Sequence, residues 1–180
     1  YETSLELADE LYKTKGGFTD IIISYGENFP DALAGGYLAA QTSAPIILVK
    51  EDENIPQSVL NYLNNRAYYG ARIMLLGSKS VVSESFELQL NNMGMGYQIE
   101  RYGGTTRFET NIEILKAGGI ENGSNGTLFV SSANVFADSL SASSSVLPLM
   151  ITGPELSQVQ LYFLNKLKAT GAITDIQIIG

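Results

Sequence analysis

An internal repeat constrains this chain more than any other feature of its sequence. The segment YETSLEL at 1–7 matches FETNIEI at 108–114, and IIISYGENFPDALAG at 21–35 matches LFVSSANVFADSLSA at 128–142, so both pairs share an offset of 107 residues. Further pairs are 44–49 with 147–152, 55–63 with 156–164, and 72–77 with 175–180. In a chain of 180 residues, this period predicts two copies of one supersecondary unit. The second copy lacks a counterpart of 78–107, so we expect the array to continue beyond residue 180.

Within each copy, short apolar runs alternate with segments of helical periodicity. The expected strands lie at 21–24, 45–49, 72–76 and 97–101, and the expected helices lie near 31–41, 56–65 and 82–92. Continuous apolar runs, unlike alternating ones, predict a parallel sheet covered by helices on both faces. The predicted fold class is α/β, with tandem Rossmann-like units built on short parallel sheets flanked by helices. The first unit spans 1–107, and the second, truncated unit spans 108–180.

The first helix of each copy carries a start and a stop signal. Thr3 and Glu6 have the spacing of a capping box, as do Thr110 and Glu113. The predicted stops are the glycine pairs at 16–17 and 118–119.

Composition excludes several classes of function. The chain has 11 Lys plus Arg against 19 Asp plus Glu, a net charge of -8, so it has no basic surplus for a nucleic-acid backbone. It contains no cysteine and no histidine, which removes disulfides, thiolate metal sites and the usual general base. No apolar run approaches the roughly 18 residues of a membrane span. We therefore expect neither nucleic acid nor membrane as a partner, and we interpret the start at Tyr1 as that of a mature segment or excised fragment.

The stretch at 25–49 resembles a nucleotide site, because ligands of parallel sheets bind beyond the carboxyl ends of the strands. Its glycines do not fit a phosphate loop. Asp31 follows Pro30 in the predicted first helical turn, where its charge complements the helix dipole and would repel phosphate. Asp138 holds the same place in the second copy. We favour helix capping for both aspartates, with ligand contact as the alternative, and close packing for the glycines at 35–36.

Catalysis finds little support in the residues. Glu27 and the acidic run at 51–53 follow strands and could bind a hard cation, but the second copy has Asn134 in place of Glu27 and no acidic run. Serines lack both a nucleophile elbow and a histidine to activate them. A paired-carboxylate glycosidase stays open, although nothing selects a pair. We expect no catalytic residues, no metal site and no cofactor.

Two features suit a binding module. Proline precedes the apolar runs APIILV at 44–49 and LPLMIT at 147–152, a pattern that also fits a core strand opened by proline. At the junction between copies, Arg101 and Arg107 bracket Tyr102 and a pair of glycines. These residues could bind an anionic or carbohydrate ligand. Alternatively, they form a linker whose arginines pair with nearby glutamates.

Four motifs carry a resemblance to a known family. They are NFPDALAG at 28–35, APIILV at 44–49, LLGSKSVVS at 75–83 and RYGGTTRFET at 101–110. In this order and with this period, they resemble the cell wall binding repeat 2 family of Gram-positive, especially clostridial, surface proteins. The resemblance implies Rossmann-like or Toprim-like units, usually three in tandem and packed as a pseudo-threefold trimer. It also implies non-covalent anchoring of surface-layer and wall proteins to an anionic wall polysaccharide, and hence secretion to the cell surface.

In this family a Pro-Ile-Leu-Leu motif is associated with anchoring. By resemblance it falls on Pro45, Ile46, Ile47 and Leu48, and in the second copy on Pro148, Leu149, Met150 and Ile151. Asn28 and Asp31 belong to a second family run, Asn-x-Pro-Asp-Ala-Leu, which the second copy changes to VFADSL. We include both residues among the candidate polymer ligands.

An acidic protein must bind an anionic polymer through a local basic patch. The available cations are Arg66, Arg72, Lys79, Arg101 and Arg107. We expect Arg101 and Arg107, with Tyr102, to form the polymer site. The expected partners are the anionic polysaccharide and a third repeat or other copies that complete a trimer-like assembly. The alternative function is a structural, self-assembling repeat that makes protein contacts within the surface layer.

Overall fold

The computed structural model describes residues 1–27, 29–50, 54–123, 126–143 and 145–180. The helices are α1 (Glu2–Lys15), α2 (Phe29–Thr42), α3 (Gln57–Arg66), α4 (Glu84–Asn92), α5 (Arg107–Ala117), α6 (Phe136–Ser143) and α7 (Gln158–Ala169), with a 3-10 turn at Ile120–Asn122. The strands are β1 (Phe18–Tyr25), β2 (Ile46–Val49), β3 (Ala67–Leu76), β4 (Gln98–Tyr102), β5 (Thr127–Ser132), β6 (Leu149–Thr152) and β7 (Asp175–Ile179). Strands and helices occur where the apolar runs and periodic segments predict them.

The strands form two parallel sheets of the same topology. The first has the order β2-β1-β3-β4 and the second β6-β5-β7. Every pairing is parallel, and Ile22 faces Ile46 across β1 and β2 as Phe129 faces Leu149 across β5 and β6. The predicted α/β class, with short parallel sheets flanked by helices, is confirmed.

Both faces of β1 are buried, which explains its unbroken apolar run. Ile21 and Ile23 point to one side and pack in a cluster with Phe86, whereas Ile22 points to the other side and packs with Leu38. All three isoleucines of β1 are fully buried. At about 1.5–3 kcal/mol for each buried side chain of this size, the central strand is a main source of stability.

Side chains from the first helix of each unit complete the edge strands β2 and β6. The Asn111 Nδ2 donates to the Leu149 carbonyl at 2.9 Å, and the Asn111 Oδ1 accepts from the Ile151 N–H at 3.0 Å. In the first unit, the Ser4 Oγ accepts from the Leu48 N–H at 3.0 Å. Ser4 and Asn111 are aligned in the repeat. Each therefore satisfies backbone groups that an edge strand would leave unpaired.

Helix α2 joins the two units. Its Tyr37, only 4% exposed, lies in the core of the second unit, and its Leu33 packs with Ile151 of β6. In return, Ile114 of α5 lies in a cluster with Leu38 on the first sheet. The two units therefore share a continuous apolar interface.

Glycines in α2 permit this close approach. A Cβ on Gly36 would lie 3.2 Å from the Ser143 carbonyl oxygen of α6, and one on Gly35 would lie 2.6 Å from the Leu76 Cδ1 of β3. A side chain at Gly36 would press on the backbone of α6, and one at Gly35 would force the Leu76 side chain to move. These contacts agree with a packing role for the two glycines.

The capping boxes expected at Thr3 and Thr110 are wrong. Helix α1 begins directly after Tyr1, which has no side-chain capping bond, and Thr110 is buried within α5. The capping box of α5 lies one turn earlier, where Thr106 and Glu109 exchange hydrogen bonds. Thr106 and Thr110 each have a glutamate three residues later. Thr106 caps the helix because Thr110 faces the interior.

The outer face of β7 is exposed, unlike that of β3. Ile178 of β7 is 80% exposed, whereas the aligned Leu75 of β3 is fully buried. In the first unit, α4 covers this face with Phe86 and Leu90. Within the described ranges, no helix takes that position over β7. The second sheet thus has one strand fewer than the first, and the described residues provide no counterpart of α4. Continuation of the array beyond residue 180 stays a prediction.

Substitution of Asn111 tests the edge-strand bonds. Asn111→Ala removes both partners of buried backbone groups on β6, each of which costs about 1–3 kcal/mol when left unpaired. We expect the free energy of unfolding, measured by urea denaturation, to fall by about 2–4 kcal/mol. Asn65→Ala, at an exposed position on α3, is the control and should change it by less than about 0.5 kcal/mol. A loss at Asn111 no larger than the control's would contradict this role.

Candidate functional site

The proline-led strands lie in the core rather than on the surface. Pro45 and Ile47 are buried, and Ile46 and Leu48 are partly buried. In the second unit all four aligned residues, Pro148, Leu149, Met150 and Ile151, are buried. Their side chains pack the edge strands. A part in polymer binding stays a prediction for all eight. For the six buried residues it would consist of positioning the loops that follow these strands, whereas the partly buried Leu48 also lines a pocket with Tyr1.

Arg101 is held by the first unit. Its Nε donates to the Glu87 Oε1 of α4 at 2.6 Å, and its guanidinium also donates to the backbone carbonyls of Gly77 at 3.0 Å and Ser83 at 3.4 Å. Only 15% of its side chain is exposed. Arg101 therefore ties α4 to the end of β3, as in the linker alternative, where the arginines pair with glutamates.

Tyr102 also points into the first unit. Its hydroxyl donates to the Glu100 carboxylate, and the Arg72 guanidinium lies 3.6 Å from the same carboxylate. Loss of solvent around the Tyr102 hydroxyl, together with the nearby Glu100, raises the pKa of Tyr102 to about 12. Tyr102 is thus a neutral hydrogen-bond donor at physiological pH.

Arg107 differs from the other three arginines. Arg66, Arg72 and Arg101 each form an ion pair with a carboxylate, whereas no described carboxylate forms one with Arg107. Arg107 is exposed at the start of α5, and it lines a pocket of about 500 Å³ with Phe108 at the carboxyl end of β5 and β6. The structure therefore separates the two junction arginines and leaves Arg107 alone facing a cavity.

Asp31 lies in the first turn of α2, as expected, and faces the junction. A Cβ on Gly77, at the end of β3, would lie 3.2 Å from the Asp31 Oδ2. The aligned Asp138 has the same relation to Gly180 at the end of β7, at 2.7 Å. Burial raises the pKa of Asp31 to about 6, and the positive charge of Arg107 opposes that rise. The positive charge of Arg107, at the start of α5, therefore acts on the Asp31 carboxyl of α2.

Other candidates are less informative. Asn28 and the acidic run at 51–53 lie outside the described residues. The part of the chain that the structure describes holds no group of three or more acidic side chains placed to bind a metal ion. None of its helices has the length and apolarity to cross a bilayer. Phe108 is not among the residues predicted from the sequence. Its alignment with Tyr1, which places an aromatic residue at the same position in both copies, is a signal that could have identified it.

Titration of Asp31 predicts a pH-dependent stability. Its folded-state pKa of about 6 lies above the ordinary value of 3.8, so folding favours the protonated form. The resulting stabilisation is complete below about pH 4 and is lost as the pH rises through 6. Asp31→Asn, which cannot ionise, should remove this loss. Relative to that variant, the wild-type free energy of unfolding should fall by about 2–3 kcal/mol between pH 4 and pH 7.

Urea denaturation at a series of pH values measures this difference. Asp175→Asn, at an exposed position on β7, is the control and should follow the wild-type curve. Parallel curves for wild type and Asp31→Asn across this range would show that Asp31 titrates as an ordinary aspartate.

Comparison with known proteins identifies the family. The model of the family described as cell wall binding domain 2 matches residues 1–87 and 101–180. The Clostridium difficile protein Cwp8 superposes with a TM-score of 0.78 at 29% identity, over 98% of this chain and 29% of the other. Cwp6 from the same organism gives 0.75 at 21% identity, over 99% and 28%, and its likeness speaks for the fold alone.

Two curated proteins of Bacillus subtilis are also similar. The N-acetylmuramoyl-L-alanine amidase LytC is 25% identical over 122 residues, and the amidase enhancer is 29% identical over 110 residues. The matches cover 66% and 61% of this chain but only 22% and 14% of the two relatives. The resemblance found in the four motifs is confirmed, and with it a location at the cell wall or cell surface and a role in anchoring there. The chain belongs to the cell wall binding domain 2 family.

Proposed function

We propose that this chain is a non-catalytic module that retains a surface protein by binding an anionic cell wall polysaccharide at the junction between its two units. One observation carries the choice of site: Arg107 is the only arginine of the chain for which the described residues provide no ion pair. An exposed guanidinium beside a pocket can bind carboxylate or phosphate groups in a bidentate manner. Arg107 supplies local positive charge, which a protein of net charge -8 needs in order to bind an anion against its overall field.

The extent of the family match supports a non-catalytic role. Between the matched ranges lie only residues 88–100, and these contribute to α4 and β4 of the first unit. The family match therefore accounts for nearly all of residues 1–180. We assign the amidase chemistry named in one relative to the larger part of that protein, which this chain does not match.

Removal of the Arg107 charge tests the binding site. Arg107→Ala should weaken binding to purified wall polysaccharide at least about tenfold, because a charge-assisted hydrogen bond is lost. Arg107→Lys should weaken it less, because the charge remains but the bidentate geometry is lost. Isothermal titration calorimetry with purified polymer measures both effects.

Two controls accompany this measurement. Lys15→Ala removes an exposed charge from the end of α1 and should bind like the wild type. Walls stripped of their anionic polymer should retain less of the wild-type protein. Equal retention on stripped walls would contradict polymer binding, and wild-type affinity of Arg107→Ala would contradict the site.

A second function, self-assembly, is favoured by the interface between the units. Leu33 on α2 and Ile114 on α5 are buried in that interface, at 9% and 0% exposure. Their repeat counterparts, Leu140 on α6 and Leu7 on α1, are 47% and 67% exposed. Each exposed residue is the unused half of a heterologous contact, so α6 of one molecule can dock on α1 of another. A third repeat would occupy the same faces.

Charge substitution tests this assembly. Leu7→Glu should abolish concentration-dependent association in sedimentation velocity experiments, because a carboxylate would be buried against apolar partners. Leu88→Glu, at a position on α4 that is 61% exposed, is the matched control and should associate like the wild type. A wild-type chain that stays monomeric at high concentration, or Leu7→Glu that still associates, would exclude these faces as the contact.

A further inference from the structure

Each unit contains a pocket beside the aromatic residue that opens its repeat. Both pockets have volumes of about 500 Å³, and they share two aligned positions, Tyr1 with Phe108 and Lys50 with Gly153. The other lining residues differ, because the first pocket extends along α3 and the second lies at the ends of β5 and β6. The feature that the two units share is therefore an aromatic residue that lines a pocket.

The first pocket combines an aromatic ring with charged groups. The Tyr1 ring lies against Gly26, where a Cβ would come within 2.7 Å of the Tyr1 Cε1. The Lys50 Nζ lies 5.2 Å from the centre of this ring. The Glu27 carboxylate accepts a hydrogen bond from the Tyr25 hydroxyl at 3.0 Å. An aromatic ring and an ammonium group thus line this pocket, and the Glu27 carboxylate interacts with Tyr1 from outside the lining.

The second pocket also combines an aromatic ring with a cation. Phe108, the counterpart of Tyr1, lines it and lies near Gly153, where a Cβ would be 3.5 Å from the Phe108 Cζ. Arg107 supplies the cation, Glu155 a carboxylate, and Asn134 an amide at the position of Glu27. Both pockets thus contain an aromatic ring and a cation, although most of their lining residues differ.

We propose that each pocket binds one pyranose unit of a wall glycan, with Tyr1 and Phe108 as the stacking surfaces. An aromatic ring matches the apolar C–H face of a sugar. Sugar hydroxyls both donate and accept hydrogen bonds, so they fit a carboxylate or amide beside a cation. Sugar recognition in both pockets would also give the chain two linked contacts with one polymer.

This inference rests on the proposed function and adds to it the part of the polymer that is recognised. Arg107 would bind an acidic substituent, and the rings would bind the sugars that carry or adjoin it. The test therefore separates the rings from the charge. Replacement by leucine keeps apolar packing, which matters because Phe108 also packs against the cluster at the junction.

The experiment titrates the full chain with oligosaccharides released by mild acid from purified wall polysaccharide. Calorimetry measures affinity, and NMR follows the aromatic signals of Tyr1 and Phe108. Tyr1→Leu and Phe108→Leu should each weaken binding about tenfold, and the double variant should weaken it further. Phe108→Tyr should retain affinity because the ring remains. Tyr162→Leu, which changes a ring that is 74% exposed on α7, is the matched control.

The outcomes distinguish the two proposals. If the wild type binds and both leucine variants bind equally well, the pockets are not the sugar sites and the anchoring function stands. If the ring signals shift on titration while the chain is not retained on whole polymer, the pockets bind sugars but the anchoring proposal fails. If neither occurs, both proposals are wrong.

Discussion

The shared packing of α2 determines the arrangement of everything else in this structure. This helix covers the first sheet and at the same time places Tyr37 in the core of the second unit. Because glycines 35 and 36 let it lie close to both neighbours, the two units cannot move far apart without exposing apolar surface. The junction bearing Asp31 and Arg107 is therefore held by a packed core, which would give the proposed binding site a fixed shape.

The sequence predicts the scaffold well because the scaffold depends on local and periodic signals. Unbroken apolar runs reflect strands buried on both faces, and the repeat places matching elements in both units. The capping box expected at Thr110 lies one turn too late because the same spacing occurs twice in succession, and only burial decides between Thr106 and Thr110. Sequence patterns specify which residue types can cap a helix, whereas tertiary packing selects among them.

The candidate site was harder to predict from sequence, for a related reason. Arg101 and Arg107 look equivalent in the motif RYGGTTRFET, yet Arg101 ends a strand and turns toward Glu87, while Arg107 begins a helix and faces a pocket. No local sequence signal distinguishes the orientations of these two arginine side chains, because Glu87, which pairs with Arg101, comes from another helix. The proline-led motif presents a similar contrast. The motif is conspicuous in the sequence because it forms an edge strand that is largely buried, and a role for it in binding stays a prediction.

Asn111 and Ser4 show how two repeats can diverge while keeping one architecture. Both satisfy the free edge of a strand, one with an amide that bonds twice and one with a hydroxyl. What the two units share at this position is a hydrogen-bonding capacity rather than a particular side chain. A unit of this kind can therefore exchange serine for asparagine beside a strand edge and keep its architecture, provided that a side-chain polar atom still reaches the backbone groups there.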